Sequence, residues 1–320
     1  MNPEQIQRIL KIIARAPSPH NTQPVKWRFL GIRIQMLIES ERILWVSDKE
    51  LRDLHLSAGS AFYLLKLALK QEGLEPVEVK FYRSTFRVPQ EVYLECSTRP
   101  IPPTTSPELM LLETHACYRG NFAPSTLELN LSNSHTHKIT DSVSKKYIAT
   151  LYDQASAFFL GQRDYAQELW KWLRLDKNDP RFYQDGLNAQ MLRLNGFMTL
   201  ISCYVLKPAV LEFLGKIKLL PLIVTEASQN NSAEGFIALT KDHTKSCFEE
   251  GEDLMKLWFE VESQGRVLCP VTALIDDPSM EKKLRKLMKL QNEIIHIVRY
   301  GVKPAKEELP LSPRLQKITL

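Results

Sequence analysis

Chemistry in this chain concentrates first in one short stretch, Ala16-Pro17-Ser18-Pro19-His20-Asn21-Thr22-Gln23-Pro24. Three prolines fix their own φ and push the residues before them toward extended backbone, so the stretch reads as a stiff, non-repetitive loop. It displays Ser18, His20, Asn21 and Gln23 side by side. Amides and hydroxyls both donate and accept, which suits a ligand with alternating donors and acceptors. Two readings are open from the loop alone. Either it faces such a ligand, or it is a connector whose Ser and Asn satisfy their own backbone.

Two arginine-bearing segments could supply the complementary charge. One is Thr114-His115-Ala116-Cys117-Tyr118-Arg119-Gly120-Asn121-Phe122; the other is Leu311-Ser312-Pro313-Arg314-Leu315. A guanidinium grips a phosphate through two parallel hydrogen bonds, although an arginine in a turn is more often plain soluble surface. Other chemistry lacks its signature. No Gly-x-Gly occurs among the 12 glycines, so a dinucleotide fingerprint and a phosphate-cradling glycine loop are missing. There is no His-Glu-x-x-His and no Gly-x-Ser-x-Gly elbow. His135-Thr136-His137 alternates like a metal pair but has no carboxylate cluster nearby, and no metal is assigned. Asp276-Asp277 before Pro278 reads as the start of a helix.

The elements that must position these residues follow from periodicity. Asn2, Pro3 and Gln5 spell a capped helix start, with Ile6, Ile9, Leu10 and Ile13 on one face. Trp27-Arg28-Phe29-Leu30 and Ile43-Leu44-Trp45-Val46 read as strands. A helix apolar around most of its circumference is expected over 56–72, stopped by Gly73, and strands over 77–82 and 91–96. Arg99-Pro100-Ile101-Pro102-Pro103 reads as an extended linker. Helices are expected over 142–160, 164–173, 246–264 and 280–290, with strands over 236–240 and 294–300. The apolar run 197–206, stopped by Lys207-Pro208, reads as a core or lid helix.

The totals are those of a soluble globular chain: 320 residues, 44% hydrophobic and 25% charged. Net charge is +5, from 42 basic and 37 acidic residues, which demands no nucleic acid. The five cysteines have no C-x-x-C spacing, and no apolar run reaches the roughly 18 residues of a membrane span, so a cytoplasmic, reducing setting is expected.

The halves repeat a pattern. Gly59 precedes the helix-stopping Gly73 by the same interval as Gly251 precedes Gly265. Phe62, Leu65, Leu67 and Leu69 share offsets with Leu254, Leu257, Phe259 and Val261. A strand ending in Asp48 or Asp242 is expected before each unit, and Pro76 or Pro270 follows it. Two ordinary amphipathic helices would explain part of this. A duplication would explain all of it, and it predicts a composite site between two halves.

Taken in order, these segments resemble the FMN-dependent nitroreductase family, and most closely its tandem-repeat, Acg-like branch. The 16–24 loop with Trp27-Arg28 resembles the family's A-P-S-x-H-N-x-Q-P loop. Segment 56–73 resembles the first core helix, Tyr118-Arg119 and Phe122 the opening of the second repeat, Asp185-Gly186-Leu187 an Asp-Gly pair, and 236–265 the second core helix. Arg299-Tyr300-Gly301 and Ser312-Pro313-Arg314 resemble the C-terminal end. Val25, and His115-Ala116-Cys117, depart from the branch, which has Trp after Gln-Pro and several Arg and Thr before the Tyr-Arg.

The resemblance implies an α+β fold of two fused repeats, 1–105 and 106–320, forming an intrachain pseudo-dimer with one shared core and no need for a second copy. It implies FMN between the halves. Ser18, His20, Asn21 and Gln23 would then belong to the cofactor site, with Ser18, Asn21 and Gln23 at the flavin ring and ribityl chain and Arg119 and Arg314 at the phosphate. The function implied is an NAD(P)H oxidoreductase reducing a small nitroaromatic or quinone-like acceptor, with no catalytic side chain of its own. The alternatives are an FMN-sequestering protein without turnover and a flavin-free scaffold.

Overall fold

Two four-stranded antiparallel sheets flank a pair of crossed helices in the computed structural model, which describes residues 1–315. Helix α1 (Pro3–Ile13) begins with the expected capping box: the Asn2 side chain accepts from the Gln5 N–H at 2.8 Å and the Gln5 side chain from the Asn2 N–H at 3.0 Å. Its Ile6, Ile9 and Ile13 are buried against α2 (Arg52–Gln71). Strands β1 (Val25–Leu30) and β2 (Arg33–Ile38) form a hairpin whose turn uses Gly31 at φ 64°. After α2 come β3 (Leu74–Phe81) and β4 (Glu91–Pro100), giving the order β1-β2-β4-β3.

The segment Ile43-Leu44-Trp45-Val46 is not a strand, and none ends at Asp48. A 3-10 turn occupies Ser40–Arg42, and the main-chain N–H groups of Val46 and Ser47 donate to the Glu168 carboxylate at 2.9 Å each. With those groups satisfied by a side chain, no sheet partner is required. Asp48 caps α2, accepting from the N–H groups of Asp53 (3.1 Å) and Leu54 (2.9 Å). Ile43 and Leu44 are buried in turns, and β2 takes the place in the sheet.

The chain continues through α3 (Glu108–Leu111), β5 (Thr136–Ile139), α4 (Ser142–Leu160), α5 (Arg163–Trp172) and the short parallel pair β6 (Leu173–Arg174) and β7 (Leu187–Asn188). Four helices follow: α6 (Gly196–Val205), α7 (Pro208–Lys216), α8 (Leu220–Ile223) and α9 (Ala227–Ser232). Then come β8 (Gly235–Thr240), α10 (Cys247–Ser263), β9 (Val267–Pro270), α11 (Ala273–Asp276), α12 (Pro278–Met288) and β10 (Ile294–Gly301). The second sheet is ordered β5-β8-β10-β9. Every residue of β8 and β10 is buried, including His296 and Arg299 within the otherwise mostly apolar β10. In both sheets the strand that leads into the long helix pairs with the last strand of the four, and that strand carries the third on its outer side.

Helices α2 and α10 make the most extensive helix–helix contact in the molecule. They cross where each has a glycine. Ser60 Oγ on α2 donates to the Gly251 carbonyl at 2.8 Å, and Phe62 meets Phe248 at a ring separation of 5.5 Å. Among the described residues no single helix is long and apolar enough to cross a membrane; α6 and α7 together pass by length and composition, bent by 74°. Helix α6 is not a core helix, because Phe197, Leu200 and Tyr204 are exposed.

Candidate functional site

The 16–24 loop owes its shape to a tight turn and to left-handed backbone on either side of Thr22. Pro19–Asn21 forms a 3-10 turn, and His20, Asn21 and Gln23 take left-handed φ of 48°, 54° and 52°. Asn tolerates this region; for the other two it costs on the order of 1–2 kcal/mol each. The strain is held by three local hydrogen bonds: Asn21 N–H to the Ser18 carbonyl (3.0 Å), Thr22 N–H to the Pro19 carbonyl (3.0 Å) and Gln23 N–H to Ser18 Oγ (2.9 Å).

Asp185-Gly186 buttresses the loop from behind. The Gly186 N–H donates to the Asn21 carbonyl and Asn21 Nδ2 donates back to the Gly186 carbonyl, both at 3.2 Å. The Asp185 carboxylate is buried between Arg174 (2.7 Å) and Arg42 (3.0 Å), and Arg42 also donates to the Thr22 carbonyl at 2.8 Å. In front lies the C-terminal segment. Arg314 Nη1 donates to Asn21 Oδ1, Asn21 Nδ2 to the Pro313 carbonyl (3.0 Å), and the Leu315 N–H to Gln23 Oε1 (2.9 Å). Gln23 Nε2 also donates to the Gln184 carbonyl at 2.9 Å.

A cavity of about 530 Å³ opens beside this loop, within the range of small-molecule sites. Ser18, His20, Asn21, Arg119 and Arg314 all line it, although Arg119 comes from a segment remote in sequence from the loop. Gln23 does not; with Ser18 and Arg314 it lines a neighbouring cavity of about 520 Å³. The far wall is Cys117 and Cys269, Ser57 and Ser60 of α2 contribute, and α6 closes one side with Met198, Ile201 and Ser202.

The electrostatics are those of a site rich in buried cations. Among the described residues, Arg119 Nη1, Arg314 Nε and Arg15 Nε are buried without a hydrogen-bond partner, as are all three guanidinium nitrogens of the fully buried Arg299. Burial, and then the neighbouring Arg15, push the Arg314 pKa down to about 9. Burial, and then Arg119, push the His20 pKa down to about 4, so its ring is neutral at pH 7. At the other end, burial and then Asp53 raise Asp276 to about 7, with Arg52 Nη2 2.7 Å away.

Sequence reasoning missed several cavity residues. Asp276 lines the cavity, whereas Asp277 is the helix cap, accepting from the Ser279 and Met280 N–H groups. Cys269 also lines the cavity, on a strand whose apolar neighbours hide it; Arg299, opposite it in the sheet, lies behind that lining. His135 and His137 sit at the β5 edge, His135 3.5 Å from Asp242, and among the described residues no group of three or more His, Cys, Asp and Glu could hold a metal.

No family model matches the chain. Over 70 residues it is 34% identical to two proteins from different strains of Mycobacterium tuberculosis, each named "Putative NAD(P)H nitroreductase". The match takes in 22% of this chain and 20% of each relative, so it spans about a fifth of the curated relatives' length. The similarity is local, in a chain of mixed α+β architecture.

Proposed function

We propose that the chain is an FMN-dependent NAD(P)H oxidoreductase acting on a small nitroaromatic or quinone-like acceptor, with the flavin in the cavity between the 18–23 loop and Arg119. The observation that carries this reading is the pair of buried, partnerless guanidinium nitrogens on Arg119 and Arg314, which line one cavity. A buried charge without a counter-ion is costly, and a phosphate monoester would relieve it. The residues present therefore fit the cofactor's anionic end. The loop supports the rest: Ser18 and Asn21 line the same space, and the Asn21 amide, engaged by Arg314, Gly186 and Pro313, fixes its shape.

In this reading Arg119 and Arg314 bind the phosphate. Asn21 holds Arg314 in place while its own shape is set by Gly186. His20, neutral at pH 7, offers one donor and one acceptor without adding charge. Gln23 anchors the C-terminal segment. Helix α6 lines one side. Bound FMN would supply hydride acceptance and transfer, so no side-chain nucleophile is needed.

We further propose that 1–105 and 106–320 are two fused repeats forming a pseudo-dimer that works as a monomer. The matching strand orders and the glycine-to-glycine helix crossing support this. The second functional reading, flavin sequestration without turnover, is favoured by α6 closing one side of the cavity and by the tail holding Asn21 and Gln23. NADPH or NADH oxidation by the FMN-loaded protein, with menadione or nitrofurazone as acceptor, tests the enzyme. Turnover supports it; bound flavin that stays oxidised in excess NAD(P)H supports sequestration.

A further inference from the structure

Cys117 Sγ lies 3.3 Å from Cys269 Sγ, with both cysteines free and both lining the cavity. The pairing is built by the backbone. The Tyr118 N–H donates to the Leu268 carbonyl at 2.8 Å, so the 116–119 segment runs along β9 and brings the two cysteines side by side. The β9–β10 register sets Cys269 directly opposite Arg299. Directly opposed residues in a sheet share a face, with Cβ atoms about 5 Å apart.

Arg299 is fully buried and its three nitrogens have no hydrogen-bond partner among the described residues. Its nearest carboxylate, on Glu226, is 3.9 Å away. A cysteine sulfur across the strand is therefore well placed to carry negative charge, and Cys117 is placed to donate its S–H to that sulfur. The hydrogen bond from Cys117, with Arg299 and Arg119 against the opposition of burial, lowers the Cys269 pKa well below its ordinary value. The same bond, and then burial, raises that of Cys117.

We propose that Cys117 and Cys269 form a redox-active dithiol that exchanges with low-molecular-weight disulfides entering the cavity and closes to an intrachain disulfide. The Cys269 thiolate attacks one sulfur of the incoming disulfide, forming a mixed disulfide and releasing one thiolate. Cys117 then gives its proton to the released thiolate, and its sulfur attacks Cys269 Sγ, breaking the mixed disulfide and displacing the second thiolate. Both protein thiols are oxidised, the small disulfide is reduced to two thiols, and the electrons balance. This does not rest on the flavin reading, because it needs no cofactor.

The test is disulfide mapping on the full chain. Reduced protein, freed of reductant, is exposed to oxidised glutathione, denatured, alkylated and digested. A Cys117–Cys269 cross-link is expected, with Cys96, Cys203 and Cys247 alkylated. Cys117→Ser should accumulate glutathione on Cys269, and Cys269→Ser should leave Cys117 unmodified over the same time. The proposal is overturned if both cysteines of the native chain stay alkylated, if either pairs elsewhere, or if Cys117 reacts as fast in Cys269→Ser as in the native chain. Should a variant fail to fold, the native-chain mapping alone decides.

Discussion

Gly59 and Gly251 face each other at the point where α2 crosses α10. A Cβ at Gly59 would land on the Phe248 carbonyl and lie 2.9 Å from Gly251 Cα; one at Gly251 would land on the Leu56 carbonyl and lie 2.8 Å from Leu56 Cα. The atoms met are backbone and cannot swing aside. These are the same two glycines whose equal spacing to Gly73 and Gly265 marks the two halves of the sequence.

Gly59→Ala and Gly251→Ala should each destabilise the chain. Alanine in a helix interior gains about 1 kcal/mol over glycine. Overpacking costs about 1–3 kcal/mol and more where backbone must move, so a net loss is expected. The double variant should fall short of the sum, since both changes push apart one contact. Denaturant unfolding reads this directly, and an unchanged midpoint in either single variant would contradict a close crossing.

Asp185→Asn should cost about 3–5 kcal/mol, the usual consequence of stranding a buried charge. Arg174 is 2% exposed and has Asp185 as its ion-pair partner, whereas Arg42 retains Glu39 at 2.9 Å. Because Asp185 and Gly186 support the loop carrying Asn21, flavin binding should weaken in parallel. Stability unchanged within 1 kcal/mol (about a factor of five in the folding constant) would refute the buttress.

His20 should titrate near pH 4. With its folded pKa below the ordinary 6.5, the unfolded chain takes up the proton first on acidification. The stability associated with the neutral ring is therefore present above about pH 6.5 and lost as pH falls toward 4, by roughly 2–3 kcal/mol. Asp276 and Asp48, raised to about 7 and about 6, act with the opposite sign in much of this window, so the whole-protein curve does not isolate His20. The difference between native chain and His20→Gln does: the variant should gain relative stability as pH falls. Arg119→Met should move the His20 NMR titration upward, although burial keeps it below the ordinary value. An unmoved titration would mean that Arg119 and His20 do not share the cavity.

Much of this was legible from local rules. The Asn2/Gln5 cap spells a helix start, and the structure forms that capping box; the structure adds a second box, Ser246/Glu249, at the start of α10. Strand β2 was not legible, because the more apolar Ile43-Leu44-Trp45-Val46 competes with it; what makes that run a turn is Glu168, over a hundred residues away. The 18–23 loop announces itself through its prolines and amides. The engagement of Gln23 and Asn21 by the tail does not, since it depends on where residues 313–315 settle. Cys269 carries no local signal and Arg299 shows only within the Arg299-Tyr300-Gly301 resemblance; that the two face each other comes from the β9–β10 register.

The most direct test is FMN titration, followed by fluorescence quenching, of the native chain, Arg119→Ala and Asn21→Ala. Saturable binding by the native chain is expected, weakened about 10- to 100-fold in Arg119→Ala, the loss of one charge-assisted bond of about 1.5–3 kcal/mol. Asn21→Ala should weaken it too, by releasing Arg314 and the loop. No binding by the native chain, or binding indifferent to both substitutions, would contradict the placement of a flavin between the 18–23 loop and Arg119.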